Sequence, residues 1–446
     1  MEYPFLNEER GTMNDERGGQ RESGAGMTAI PSEADLLLEI GCEELPVDDV
    51  VSAIEQLSIA APRLLDETRL GHGALRVTGT PRRLVVYVEK LAGRQADEEL
   101  VFRGPPANRA QDADGQWTQA AIGFARSRGV AVESLELREA DGGRYVFAVQ
   151  QVAGKSAAEL LPELLVKLVA SIRFGKSMRW ASDGIAFSRP ISWFTALLDD
   201  QVIAFEYAGV TSGRSSLGPR SAGSPVFDIA KASDYPERLR EQGILGNIEA
   251  RKTEIQRQID QIAAGVGGQI KADPGLLDEV ANLVEQPTAV LGHFDPDSLR
   301  IPAAVLTTVM RKHQRYFSIL DAATGALLPH FIAVRNGGED FIDEVRAGNE
   351  GVLRARFADA GYFFKADTRK PLAEYLPRLG TLTFQAKLGS MLDKTGRLEA
   401  LSLKLAEQLG ASEADAAIAR SAAGLCKADL ATSMVIDFTS LQGVMG

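Results

Sequence analysis

Residues 309–338 contain the side chains of this chain that are best suited to binding nucleic acid. The stretch reads VMRKHQRYFSILDAATGALLPHFIAVRNGG. Guanidinium and ammonium groups bind phosphate, amide groups bind base edges, and tyrosine and phenylalanine rings stack on unpaired bases. The same residues also fit a solvated hairpin end without a ligand, so both interpretations stay open. The candidate contact residues are Arg311, Lys312, His313, Gln314, Arg315, Arg335 and Asn336.

A β-hairpin is the element that must position these side chains. Residues 316–320 and 331–334 are short runs rich in aromatic and branched residues, which predicts two strands. Between them, residues 321–325 contain a glycine and predict the turn. Because antiparallel strands bring the start of one and the end of the other to the same side, the two groups of polar residues should lie close together.

Length and composition describe an ordinary globular protein of several domains. The chain has 446 residues, of which 45% are apolar and 25% charged, and this length predicts about three domains. The net charge of −12 argues against a protein that coats nucleic acid non-specifically, but local basic patches remain compatible with it. No apolar run approaches a membrane span, and no signal-peptide core is present, so we predict a cytoplasmic protein without membrane contact. Cys42 and Cys426 lie far apart in sequence and predict reduced thiols.

The order of the predicted elements favours the α+β class. Residues 1–33 are polar and aperiodic and predict a disordered extension, within which Met13 or Met27 is an alternative start to Met1. Residues 34–212 predict a mixed α/β domain, and residues 213–340 a second α/β part that contains the basic hairpin. Residues 341–446 predict helices only, and their abrupt end suggests a fragment of a longer protein.

Motifs for catalysis are incomplete in this sequence. Two Gly-Lys-Ser triplets at 154–156 and 175–177 lack the earlier glycine of a phosphate-binding loop. The four histidines are not spaced as a zinc pair on one helix would be. Cys42 is followed by two glutamates and has no nearby histidine, which disfavours a reactive thiolate. We therefore expect neither a catalytic centre nor a cofactor in this chain.

A series of motifs in order resembles the β subunit of bacterial heterotetrameric glycyl-tRNA synthetase. The resemblance covers nearly everything from about residue 35 to the end, and the number and spacing of its motifs make it specific. The motifs are LLLEIGCEELP (36–46), TPRRL (80–84), RGPP (103–106), DADG (112–115), GFAR (123–126), SMRW (177–180), RPISW (189–193), HQRYF (313–317), LLPHFIAVRNG (327–337), GNEGVLRARFADAGYFF (348–364), FQAKLGSMLDK (384–394), KADLATSMV (427–435) and LQGVMG (441–446).

The resemblance implies a tRNA-binding subunit of an α2β2 ligase. In such an enzyme the α subunit carries the site for glycine, ATP and Mg²⁺, and the β subunit holds tRNA(Gly). The implied fold is a B3/B4-like N-terminal α/β region, then a helical HD-like domain, here incomplete, while the anticodon-binding domain is absent. DNA is not an expected partner. Further candidate tRNA contacts are Arg82, Arg83, Arg354 and Lys387.

Two departures from the family pattern bear on function. Residues 213–216 read Gly-Arg-Ser-Ser where family members commonly have Gly-His-Arg-Phe. Ala428-Asp429 stands where a metal phosphohydrolase needs His-Asp, and no histidine follows His330, so we expect the HD-like domain to bind and not to cut. A non-catalytic assembly protein and, less favoured, an HD-type phosphohydrolase are the alternatives, and an editing role has no residue set that demands it.

Overall fold

The structure, a computed structural model, describes residues 32–112, 114–180 and 184–446. The predicted disordered extension, with Met13 and Met27, lies outside the described residues except at its end, where Glu33 already begins the first strand. Helices and strands are mixed along the chain and strand pairing is mainly antiparallel, which is consistent with the predicted α+β class.

Twenty strands are present in the described residues. In chain order they are β1 (Glu33–Cys42), β2 (Leu75–Thr80), β3 (Arg83–Ala92), β4 (Glu98–Pro106), β5 (Glu136–Ala140), β6 (Gly143–Val152), β7 (Met178–Arg179), β8 (Ala186–Phe187), β9 (Ile191–Leu198), β10 (Gln201–Val202), β11 (Glu206–Tyr207), β12 (Val210–Gly213), β13 (Ser215–Leu217), β14 (Val226–Asp228), β15 (Gly268–Ile270), β16 (Pro287–His293), β17 (Phe317–Asp321), β18 (Leu327–Asn336), β19 (Thr383–Gln385) and β20 (Gly389–Ser390).

Twelve α-helices accompany these strands in the part of the chain that the structure describes. They are α1 (Val47–Glu67), α2 (Ala107–Ala110), α3 (Gln119–Ser127), α4 (Ala157–Ser171), α5 (Tyr235–Glu241), α6 (Ile248–Gly265), α7 (Pro274–Ala281), α8 (Ala303–Thr308), α9 (Ile342–Asp367), α10 (Met391–Gln408), α11 (Glu413–Leu425) and α12 (Ser433–Asp437).

The first sheet is built around β1, which is buried on both faces. Its neighbours are β3 and β9, both antiparallel, and the full strand order is β11-β12-β9-β1-β3-β2 with β10 on β9. Side chains alternate along a strand, so Leu36, Leu38 and Ile40 pack toward α1 and α4. The next residue along, Leu37, faces the opposite side and packs with α5. This alternation explains why the strand reads as a continuous apolar run.

A small module, residues 98–152, lies between β3 and α4 in the chain. Its strands are in the order β4-β6-β5 and are all antiparallel. The two short helices α2 and α3 cover one face of this sheet, and Val146 and Ala148 of the central strand are buried beneath them. The module therefore has its own small hydrophobic core.

The second sheet contains the hairpin that the sequence predicts. Strand order is β15-β17-β18-β16, and β17 pairs antiparallel with β18 across the turn at residues 321–325. Helices α6 and α7 cover one face. Helices α8, α9 and α12, together with the residues just after α12, cover the other face. Leu353 and Phe438 both contribute to this second core, so it continues across the domain boundary predicted at position 341.

Candidate functional site

The basic segment 311–315 lies on a distorted helical turn. Helix α8 continues into a single π-helical turn, Val309–Gln314, and Arg315 then adopts a left-handed conformation with φ 58° that ends it. Val309 and Met310 are buried, which holds the turn against the second sheet. The polar residues that follow are consequently distributed around the outside of the turn and not aligned on one face.

Two aromatic residues after this turn anchor it and are not available to bases. The Tyr316 ring stacks on Phe331 with centroids 4.7 Å apart, and its hydroxyl donates a hydrogen bond of 3.0 Å to Asn349 Oδ1. Phe317 is also buried. The prediction that these two rings offer a stacking surface is therefore wrong, because the core already uses both of them.

Both arginines of the segment are paired with acidic residues of the α7 region. Arg311 binds Asp273 through Nε and, at 2.8 Å, through Nη2, and this pairing holds the pKa of Asp273 below its usual value. Arg315 Nε lies 2.6 Å from Glu279 Oε1. Asp273 also accepts from the backbone N–H of Leu276 and so begins α7. An incoming phosphate would have to share or replace these carboxylates.

A cleft of about 420 Å³ adjoins this turn and collects further cations. Arg311 and Lys312 line it together with Lys271, which lies between β15 and α7. In the part of the chain that the structure describes, no acidic oxygen lies within 4.0 Å of the Lys271 or Lys312 ammonium. The hydroxyl-bearing residues of the lining are Thr307, Thr308, Ser318 and Ser440. Lys271 still attracts the Asp273 carboxylate at longer range and helps to lower its pKa. Ammonium groups beside hydroxyl donors can bind an anionic oxygen.

His313 faces a different direction from the cleft. Its ring meets the Phe438 ring edge-on, with centroids 5.3 Å apart. Burial and the nearby Arg356 lower the pKa of His313, so the imidazole is neutral at pH 7. Gln314 is half-buried beside it in sequence. The nearby Arg354 is exposed on α9, and Lys387 is exposed between β19 and β20.

Arg335 and Asn336 make their hydrogen bonds with residues outside the 311–315 segment. Strand β18 extends beyond its pairing with β17 and there pairs with β16, where Arg335 is opposite Thr288. Arg335 donates to the carbonyl of Asp340. The Asn336 side-chain oxygen accepts from the backbone N–H groups of Glu285 and Gln286, at 2.9 and 3.1 Å. The hairpin prediction is confirmed. The side-chain oxygen of Asn336, however, already accepts two hydrogen bonds within the protein and is therefore not available to bind a base edge.

Arg82 and Arg83 are not on the surface, which corrects their prediction as RNA contacts. Arg83 is fully buried, with Nε 2.9 Å from Glu285 and Nη1 3.5 Å from Glu39. Arg82 is 3% exposed and donates to the Gly218 carbonyl at 3.2 Å and to Ser224 Oγ at 3.1 Å. Neither guanidinium can reach a phosphate in this conformation, and both connect the first sheet to the residues after 213.

The sequence does not predict that some residues belong to the cleft. Lys271 and Ser440 belong to segments far from residue 311 and stand in no recognisable motif. Asp273 offers the only local signal, since an aspartate before proline indicates a helix start, but its pairing with Arg311 depends on the fold.

The chemistry of the remaining groups is structural. Asp429, which stands in the predicted HD-like segment, is buried and accepts from the Gly443 backbone N–H at 2.5 Å. Among the described residues, no group of three or more His, Cys, Asp or Glu side chains is placed to hold a metal ion. Across the same residues, every helix is too short or too polar to cross a membrane.

Comparison with known proteins identifies related sequences. Residues 36–446 match the family described as "Glycyl-tRNA synthetase beta subunit". The chain is 45% identical over 414 residues to the glycine–tRNA ligase beta subunit of Moorella thermoacetica, covering 92% of this chain and 59% of that protein. It is 42% identical over 415 residues to the Bacillus subtilis beta subunit, covering 93% and 61%. It is 44% identical over 409 residues to the chloroplastic/mitochondrial glycine–tRNA ligase 2 of Arabidopsis thaliana, covering 92% and 38%. The chain thus spans about three fifths of the length of these bacterial relatives.

Proposed function

Because the chain belongs to the glycyl-tRNA synthetase beta subunit family, we propose that it serves as the tRNA-binding subunit of a glycine–tRNA ligase. The similarity over 92% of the chain carries this proposal. The chemistry, attachment of glycine to tRNA(Gly) with ATP and Mg²⁺, belongs in this proposal to an α subunit in an α2β2 assembly. The β chain contributes by positioning the RNA, which accelerates a reaction without taking part in bond making.

The cleft beside residue 311 is the proposed phosphate contact. Lys271 and Lys312 make no ion pair within 4.0 Å among the described residues, although the Asp273 carboxylate attracts Lys271 at longer range. Arg311 adds a guanidinium that Asp273 holds in a fixed orientation. Backbone phosphates are the RNA groups that such cations bind, and each contact contributes to a salt-dependent affinity.

The other candidates form an outer set around this cleft in the proposal. Arg315 and Arg354 are exposed cations, Lys387 is exposed at the tip of a small hairpin, and Arg335 is half-buried. His313 and Gln314 are the candidates for base recognition, since both carry neutral polar groups and neither lines the cleft. Residues 341–446, which are helical apart from the short strands β19 and β20, correspond in this proposal to the HD-like domain, with a binding role.

Neutralising Lys271 and Lys312 tests the proposal. We expect Lys271→Gln with Lys312→Gln to weaken binding of labelled tRNA(Gly) about tenfold at about 50 mM salt, and to reduce the salt slope by about 2. Fluorescence anisotropy measures the affinity, and glycylation in the presence of the α subunit measures function. Lys176→Gln with Lys404→Gln, two exposed lysines elsewhere, is the matched control.

The outcomes separate RNA binding from simple assembly. Loss of tRNA affinity in the cleft variant alone supports the proposal. The unmodified chain would be an assembly protein instead if it associates with the α subunit but its addition changes neither tRNA affinity nor glycylation.

A further inference from the structure

The small module at residues 98–152 has one face of its sheet covered and the other uncovered by the described residues. Helices α2 and α3 bury Val146 and Ala148 on the covered face. On the other face none of the residues is buried, and Val101 of β4 is 44% exposed. A sheet of this kind needs only one packed face to be stable. The second face is therefore available for a ligand.

Strand register brings aromatic and arginine side chains together on this open face. Tyr145 and Phe147 occupy alternate positions of the central strand β6, so they point to the same side. Arg103 of β4 lies directly opposite Phe147. Arg138 of β5 lies directly opposite Tyr145. The result is two rings in the middle of the face with one arginine on each side.

The guanidinium groups lie over these rings. The Arg103 guanidinium carbon is 3.6 Å from the centre of the Tyr145 ring, which is a stacking distance. The Arg138 guanidinium carbon is 5.7 Å from the centre of the Phe147 ring. Side-chain exposures of 37% for Arg103 and 41% for Arg138 leave their outer surfaces open to solvent. Flat cationic groups on flat rings offer the kind of surface on which nucleic-acid bases stack.

We propose that this open face, centred on Tyr145 and Phe147, binds unpaired nucleotides of RNA by stacking. The inference rests on the proposed function insofar as the physiological ligand is RNA. It concerns a surface built from β4, β5 and β6, which share no residue with the cleft at Lys271 and Arg311. The chain would thus hold RNA at two places, one through phosphates and one through bases.

The charges on the face favour a particular mode of binding. Arg103 pairs with Asp141, and Arg138 pairs with Glu136 at 2.8 Å. Each of these arginines has an acidic partner, and β4, β5 and β6 contain no lysine, unlike the cleft beside Arg311. Net attraction for phosphate is therefore small here, and stacking supplies most of the affinity. An apolar protein partner would bury both ion pairs and remove them from water, which costs free energy. A stacked base leaves the ion pairs at its edge in contact with water, so its binding avoids most of this cost. The binding should consequently depend only weakly on salt.

An oligouridylate of about 12 nucleotides is the probe, because it fits the site sizes typical of such surfaces and has little structure of its own. With the full 446-residue chain, we expect Tyr145→Leu with Phe147→Leu to weaken its binding about tenfold by fluorescence anisotropy. Tyr145→Phe should bind as the unmodified chain does, because it keeps the ring. Arg103→Lys keeps the charge but not the plane, and should weaken binding as much as Arg103→Gln does.

Two control measurements distinguish loss of the stacking site from unfolding and from a general effect of removing a surface ring. The substituted side chains are not buried, so the urea midpoint should stay unchanged. Tyr362→Leu removes an aromatic ring that is 70% exposed on α9, and should leave oligouridylate binding unchanged.

The results that would overturn the inference differ from those that would overturn the proposed function. Equal oligouridylate affinity of the ring variant and the unmodified chain removes the stacking site. So does a ring variant that binds the oligonucleotide normally but no longer associates with the α subunit, since the face would then be a protein contact. Because oligouridylate binding needs neither the α subunit nor tRNA(Gly), it can succeed where the glycylation test fails, or fail where that test succeeds.

Discussion

Arg83 and Glu285 form an ion pair in the interior, with Arg83 Nε 2.9 Å from Glu285 Oε1 and both side chains excluded from solvent. Thr80 donates to the same carboxylate oxygen at 2.5 Å, and Glu39 lies 3.5 Å from Arg83 Nη1. Burial lowers the pKa of Arg83, but Glu285 and Glu39 outweigh that effect and the guanidinium stays charged. The pair joins the first sheet to the segment between α7 and β16.

Removing one charge of this pair should destabilise the protein strongly. We expect Glu285→Gln to lower the free energy of unfolding by about 3 kcal/mol, because it leaves the buried Arg83 charge undercompensated. Urea unfolding followed by circular dichroism measures the change. Glu241→Gln, which breaks an exposed pair with Arg238, should cost under about 1 kcal/mol. Equal small costs for both variants would show that Glu285 does not stabilise Arg83.

Gly41 should not tolerate a side chain. It is opposite Trp193 on the neighbouring strand, and an added Cβ would lie 1.9 Å from the Trp193 ring. That ring is also confined by the Arg82 and Arg83 guanidiniums, at 5.5 and 5.6 Å. We expect Gly41→Ala to cost about 1 to 3 kcal/mol in urea unfolding, with a change in tryptophan fluorescence.

Gly213→Ala is the control for that substitution, since the nearest atom to its added Cβ is 4.0 Å away. An effect on stability no larger than that of Gly213→Ala would mean that the Trp193 ring moves aside without cost.

The paired histidines His293 and His330 should make stability depend on pH. Their Nδ1 atoms are 2.7 Å apart, so one must be an acceptor, and the Glu350 carboxylate accepts from the His293 backbone N–H. Burial and His293 lower the pKa of His330. Because this folded pKa lies below the unfolded value near 6.5, the unfolded state binds protons first. The contribution is therefore complete above pH 6.5 and falls as pH drops below it.

His330→Gln should flatten this dependence. Urea midpoints between about pH 5 and pH 8 test it, with His72→Gln as the control for a histidine outside the pair. A slope that is the same in the unmodified chain and in His330→Gln would contradict the prediction.

Asp273→Asn should strengthen RNA binding if the proposed function is correct. Asparagine still caps α7, but it cannot form an ion pair with Arg311 and it removes one negative charge from the cleft. We expect tRNA(Gly) affinity to rise several-fold at about 50 mM salt, and less at about 200 mM. Asp278→Asn removes another charge of α7, one that pairs with Lys252 of α6, and should change affinity less. Unchanged affinity in a folded Asp273→Asn variant would remove Arg311 from the phosphate contact.

Local patterns in the sequence predicted several elements of this fold correctly. The turn residues at 321–325, between two runs of branched and aromatic residues, predict the hairpin that β17 and β18 form. Leu353, Phe357, Ala360 and Phe364 recur at helical spacing, and in α9 the first three are buried while Phe364 is partly buried. In each case the signal lies within a few residues, because periodicity and turn residues act locally.

The placement of the basic side chains could not be predicted in the same way. Arg83 is buried and Arg354 is exposed, but the residues next to each in sequence do not indicate this difference. Whether an arginine meets Glu285, Asp273 or solvent depends on segments that are distant in the chain.

The sequence by itself determined the family, the strands and helices with strong periodicity, and the hairpin. Only the tertiary structure decided that Arg83 pairs with Glu285, that Arg311 shares a cleft with Lys271, and that Tyr145 and Phe147 share an open face with two arginines. The physical reason is that hydrophobic periodicity is a property of neighbouring residues, whereas ion pairing, burial and cross-strand register depend on packing between elements.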